Sequence, residues 1–236
     1  MKTVETLYES SRSLIVLLGL VELAWIGYWL STATAGIGYL LLLFLWVCTM
    51  MVWLWLVISL ARNKFIETHS FKFTNLIGFF TVIIFSILVF GSTETGRSGI
   101  QSAVQQMSDT QLILIHTLRI LSFGTFIKYL QGQLPGHFIL LGTIPDFCFA
   151  LTAIFLLFVD TSVSNDPRFY LMWHSVGIAA FFGAGISMFF SVPSPIQITS
   201  KLPNTSLVFR YPMALAPNFC VPLFALAHIF ALVKFI

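Results

Sequence analysis

The chain alternates long apolar stretches with short polar ones. An α-helix needs about 20 apolar residues to cross the hydrocarbon core of a bilayer. Seven runs of that kind are legible, at 13–31, 37–61, 73–91, 110–129, 137–159, 169–191 and 216–236. They predict an all-α, polytopic transmembrane helix bundle of about seven spans, forming one transmembrane domain over 1–236. Ala33 and Ala35 follow the first run like a signal-peptide cleavage site. That run exceeds the usual ~7–15 apolar residues of a secretory signal. It also contains Glu22, so it reads as a span.

Composition narrows the class further. Apolar residues make up 58% of the chain and charged residues 9%, with 25 Phe. Mean hydropathy is +0.93. Soluble domains carry about 25% charged residues. The pattern excludes a soluble enzyme, a disordered chain and a nucleic-acid binder, and leaves membrane lipid as the surroundings. Cys48, Cys148 and Cys220 lie in separate apolar runs without a paired spacing, so they suggest neither a disulfide framework nor a thiolate metal site.

Basic residues in short loops set orientation. Lys2, Arg12, Arg62, Lys64, Lys72, Lys128, Lys201 and Arg210 fall on one side, and Arg97, Arg168 and Lys234 on the other. This predicts the N-terminus inside and the C-terminus outside, in a plasma or bacterial inner membrane. Tyr28, Trp29, Tyr39, Tyr170 and Trp173 are placed for an aromatic belt. Residues 92–109 read as a polar loop, lying on the surface or covering a cavity mouth. Residues 192–216 carry Pro193, Pro195, Pro203 and Pro212 and read as an ordered, non-helical lid. Trp46, Trp53 and Trp55 read as lipid-facing or belt positions.

Ionisable residues inside a span are costly, by about 2.5–3.5 kcal/mol at mid-helix on insertion scales. They mark the candidate site. Glu22, Arg119 and Asp146 fall near mid-depth in the first, fourth and fifth spans. The turn 131–136 makes the fourth and fifth spans antiparallel neighbours, so Arg119 and Asp146 are expected to form an ion pair, with Glu22 as a second acceptor. His116 shares a helix face with Arg119. His174 and His228 come from the sixth and seventh spans. Three histidines from three helices are a potential ligand set, but they have no metal-binding spacing. No metal or other cofactor is assigned. Lys234 lies too near the end of its span for a retinal Schiff base. Pro145, beside Asp146, is expected to free the Leu141 carbonyl and kink the fifth span. Ala179 with Gly183, and Ala180 with Ala184, make small-residue pairs for close helix packing.

The second half resembles a family of uncharacterised bacterial multi-spanning membrane proteins. The residues that carry the resemblance are Arg119, Leu134-Pro135, Phe138, Asp146, His174 with Gly177, Pro195, Pro203-Asn204, Pro212, Pro217 through Phe219, Val221-Pro222 and His228. The resemblance implies that Arg119, Asp146, His174 and His228 form one site. Three functions follow as expectations. The first is a membrane protein that binds or moves a small solute or protons through a buried polar pocket. The second is a membrane-embedded enzyme acting on a lipid or isoprenoid. The third is a structural subunit with partner chains.

Overall fold

The computed structural model describes all residues except Met1, 70–74, 159–165, 194–196, 199–201 and Ile236, and side chains except those of 1–13 and 70–76 as well. Lys72, Pro195 and Lys201 therefore lie outside the described residues, as do the side chains of Lys2 and Arg12. Among the described residues the fold is helical, with no strand. The main elements are α1 (Lys2–Ser31), α2 (Ile37–Arg62), α3 (Asn75–Gly91) and α4 (Glu94–Gln106). They continue as α5 (Asp109–Leu130), α6 (Gly136–Phe158), α7 (Pro167–Ser191) and α8 (Ala216–Phe235). Among the described residues, six are long and apolar enough to cross a membrane alone. A seventh span is available if the pair of α3 and α4, bent by 105°, is one crossing. Large apolar side chains such as Phe44, Trp55, Phe155 and Phe182 stay exposed, as lipid contact requires. The chain is a multi-pass membrane protein of the helical class.

The chain forms two compact units, Met1–Ala103 with Val208–Leu223, and Val104–Leu207 with Phe224–Ile236. The first is built on α1 to α3 and the entry to α8. Pro222 has no N–H, so the carbonyl of Asn218 loses its helical donor. A π-helical turn, Ala216–Cys220, widens the helix there. The indole N–H of Trp53 donates to the Asn218 carbonyl at 3.0 Å. Gly78 lies so close that a Cβ would overlap the Asn218 side chain. Trp46 is fully buried and donates to Ser86 Oγ at 2.7 Å. Only Trp55 of the three α2 tryptophans is exposed. The lipid-facing reading of Trp46 and Trp53 is thus corrected: each indole has a polar partner inside the protein.

Three other expectations change. Residues 94–106 are helical, with buried positions at Gly96, Gly99, Ile100, Ala103 and Val104. That i, i+3, i+4 spacing is an amphipathic stripe, which the many polar residues of the segment concealed. Tyr39 is fully buried beneath Gly99, and Trp29, Tyr170 and Trp173 are buried too, so these four do not form an exposed belt. The proline-rich segment includes a 3-10 turn at Thr205–Phe209. It begins where the Thr205 N–H donates to Ser191 Oγ at 3.2 Å.

In the second unit, α6 opens with a π-helical stretch, Ile139–Thr143, just before Pro145. Leu141 is four residues before that proline, so its carbonyl is the one freed. It points at Gly183 of α7, where a Cβ would overlap the oxygen. Gly142 meets Ala184 in the same way, its notional Cβ 2.9 Å from the Ala184 methyl. The small residues of α7 therefore serve close packing against α6. Gly183→Ala is expected to lower stability by about 1–3 kcal/mol through overpacking. Gly185→Ala, where nothing lies within 4 Å, should cost nothing. Melting temperatures in detergent test the pair, and equal values for both variants would contradict the packing.

Candidate functional site

The site grows out of an irregular helix. Residues Ile115–Ser122 of α5 are wound as a 3-10 helix. At three residues per turn, positions i and i+3 eclipse. His116 and Arg119 therefore stand one above the other on the same face. Helical spacing supplies the rest of the shell. Asp146 and Phe149 are one turn apart on α6. His174, Gly177 and Phe181 follow one face of α7, and Phe224 and His228 one face of α8.

Arg119 is the centre, and it is 1% exposed. Its Nε–H donates to Asp146 Oδ1 at 2.6 Å, and Nη2 lies 2.6 Å from the same oxygen. The expected ion pair is present. Nη1 donates to the Gly177 carbonyl at 3.3 Å and to His228 Nε2 at 3.0 Å. The flat guanidinium lies over two rings, 4.3 Å from the centroid of Phe149 and 4.2 Å from that of Phe181. The edge of the cation thus meets hydrogen-bond acceptors, and its faces meet π-clouds. Gly177 is required by the approach: a Cβ there would overlap the His228 ring. The Asp146 side chain retains 22% exposure, so the pair is open at the acid and closed at the base.

The hydrogen bonds fix the imidazole tautomers. A guanidinium has donors only. His228 Nε2 must therefore accept, and its proton sits on Nδ1. That nitrogen is 2.9 Å from His174 Nδ1, which accepts in turn. His174 then carries its proton on Nε2. The result is an ordered line, Asp146–Arg119–His228–His174, with both imidazoles neutral.

His116 stands beside this line. Its ring stacks on His228, centroids 3.7 Å apart and planes 9° from parallel. It is fully buried. Among the described residues, neither of its nitrogens has a protein hydrogen-bond partner, nor does His174 Nε2. Trp173, Phe149 and Phe224 close around His116, at centroid distances of 5.6, 6.0 and 6.2 Å.

One nitrogen from each histidine lies within 4.8 Å of the others, which raises the question of a metal. A ring nitrogen binds metal through a lone pair in the ring plane. Two parallel, stacked rings do not aim such pairs at one point, and His228 already spends both nitrogens. The arrangement is a hydrogen-bonded line rather than a ligand set.

Of the sequence-predicted residues, the structure brings together His116, Arg119, Asp146, His174 and His228. Glu22 is a fully buried residue of the first unit. Sequence reasoning missed Phe149, Gly177, Phe181 and Phe224 as members of the shell. Their signal was spacing: each stands three, four or seven residues from a polar site residue on the same helix.

Removing Asp146 tests the pair. Asp146→Ala leaves a buried cation without its acceptor and should cost about 3 kcal/mol. Asp146→Asn keeps an amide oxygen for the Arg119 Nε–H and should cost clearly less. Denaturant unfolding in mixed micelles measures both, and equal losses would contradict the geometry.

The sequence profile of a family described as a domain of unknown function, DUF8737, matches residues 76–236. The chain belongs to that family. No curated protein and no solved structure matches it significantly.

Proposed function

We propose that this member of the DUF8737 family binds a small polar solute within the membrane, at the histidine end of its buried polar line, and serves to move it. The carrying observation is the ordered line itself. It ends at His174, with His116 stacked beside it on His228, and among the described residues three ring nitrogens of these two have no protein partner. A charge pair needed only for packing could be replaced by apolar side chains at little cost. Ionisable residues inside a span are a functional site by default.

The geometry favours a solute over protons. A relay must both take up and give up a proton at each step, and Arg119 does not release one. The line from Asp146 to His174 is therefore interrupted for protons at its second member. Arg119 instead acts as a fixed donor that sets the tautomers of His228 and His174. Asp146 is a positioning residue for Arg119, and His174 and His116 make the contact with solute.

The test is native mass spectrometry of the protein extracted gently from its own membrane. The wild type is expected to carry a bound small mass. His174→Phe, which removes a contact nitrogen, should lose it while keeping its helical circular dichroism and a cooperative melt. Equal occupancy in both proteins would contradict the reading, and a fixed complex with other chains would favour a structural subunit.

A further inference from the structure

The corner between α3 and α4 divides two kinds of surface. On α3 the exposed side chains are Ile77, Phe80, Ile84, Ile87 and Leu88, all large and apolar. On α4, as far as Ala103, they are Glu94, Thr95, Arg97, Ser98 and Gln101, all polar. Polar side chains facing hydrocarbon lose water without replacement, and a carboxylate or guanidinium there is costly. The change takes place across Ser92 and Thr93, so the edge of the hydrocarbon lies at the corner. The corner is also specified by its own residues. A Cβ on Gly96 would overlap the Phe90 carbonyl. The Gly96 N–H donates to Thr93 Oγ1 at 3.0 Å, and Arg97 Nη1 donates to the Gly91 carbonyl at 2.7 Å, closing the end of α3.

α3 has the reach to cross by itself. Its 17 residues extend about 25 Å at about 1.5 Å per residue. The hydrocarbon core is about 30 Å thick, and helices of about 17–25 residues span it. α3 runs antiparallel to α2 within the first unit. Gly78, near its start, meets the side chain of Asn218, whose carbonyl takes the Trp53 indole. Further along, Ser86 accepts from Trp46, and Phe90 packs on Tyr39 with ring centroids 6.0 Å apart. Trp53, Trp46 and Tyr39 step back along α2 almost to its first residue, Ile37, so α3 ends level with the α1–α2 loop. α4 then departs at 105°. A helix nearly perpendicular to a crossing one lies along the membrane plane. The contacts of α4 agree with that level: Gly99 sits on Tyr39, Thr95 lies against Gly38, and Ser102 Oγ is 3.2 Å from Thr34 Oγ1 in the α1–α2 loop.

We infer that α3 crosses the membrane alone and that α4 lies flat in the lipid headgroup layer, on the side of the α1–α2 loop. Its buried stripe caps that end of the first unit, and its polar face meets headgroups and water. With six helices able to cross alone, α3 makes the seventh crossing, and the two termini fall on opposite sides. Glu94 and Arg97 offset each other in charge, and the rest of the face is uncharged. The headgroups are therefore met through hydrogen bonds rather than through attraction to anionic lipid.

The experiment is labelling of the full chain with a charged, membrane-impermeant maleimide, in right-side-out and in inverted membrane vesicles. Wild type is the blank, because Cys48 and Cys148 lie within spanning helices and Cys220 is buried. Gly36→Cys reports the α1–α2 loop, Ser98→Cys and Gln101→Cys report α4, and Gln133→Cys reports the turn between α5 and α6, all at exposed positions. The two α4 variants are expected to react from the same side as Gly36→Cys, within a few-fold of its rate and many-fold above wild type. Gln133→Cys should react only from the other side. If α3 and α4 together made one bent crossing, the α4 positions would lie in hydrocarbon and react no faster than wild type. If they formed a re-entrant hairpin, Gln133→Cys would react from the same side as Gly36→Cys. Either pattern would overturn the inference. Two probes on α4 keep the test decisive if one substitution unfolds the protein. Adding anionic lipid should leave the ratio of α4 to Gly36→Cys labelling unchanged, and a several-fold fall would overturn the uncharged contact.

Discussion

A guanidinium cannot shed its charge, and Arg119 is buried in a chain built to lie in lipid. The second unit is organised around that constraint. Five N–H groups and two flat faces must be satisfied where water does not reach. Asp146 accepts from Nε–H, Gly177 and His228 from Nη1, Phe149 and Phe181 cover the faces, and Nη2 lies against Asp146 Oδ1 without an aligned hydrogen bond. Each contributor imposes its own local requirement. Gly177 must lack a side chain so that His228 can approach. The 3-10 winding of 115–122 puts His116 in eclipse with Arg119. The π-helical turn and Pro145 precede Asp146 on α6, and the Leu141 carbonyl lies against Gly183, where a Cβ would overlap it.

The same cation gives the site its chemistry. As a pure donor it dictates which nitrogen of His228 is bare, and His228 dictates the state of His174. Order therefore passes from an ion pair to an imidazole two contacts away without any further charge. That order would be unnecessary for packing. It presents a defined donor on His174 beside an uncommitted His116. Because a guanidinium does not release its proton, the line is interrupted for protons at Arg119.

Much of this was legible beforehand. Apart from α1, which starts at Lys2 well before its apolar run, the apolar runs gave the membrane helices to within a few residues, because lipid thickness dictates their length. Arg119 and Asp146 could be paired because a short turn joins their spans at equal depth. The histidines stood out as polar residues in apolar runs. What sequence concealed was local. The helix at 94–106 is mostly polar, so its narrow apolar stripe did not register as a span or as a buried face. Tyr39, Tyr170 and Trp173 sit near span ends, where a belt residue and a buried one look alike. The shell of Phe149, Phe181 and Gly177 was invisible because a Phe or Gly in an apolar run has no signature. Only its helical spacing from a charged or imidazole neighbour betrays it. The tautomer order could not be read at all, since it depends on which nitrogen meets which partner.

The central claim is that Arg119, held by Asp146, sets the protonation pattern of the histidines. It is tested most directly by the ¹⁵N chemical shifts of the His228 ring in lipid bilayers, assigned by comparison with His228→Gln. The account predicts a neutral ring with its proton on Nδ1 and a bare, hydrogen-bonded Nε2. A proton on Nε2, or a doubly protonated ring, would contradict it.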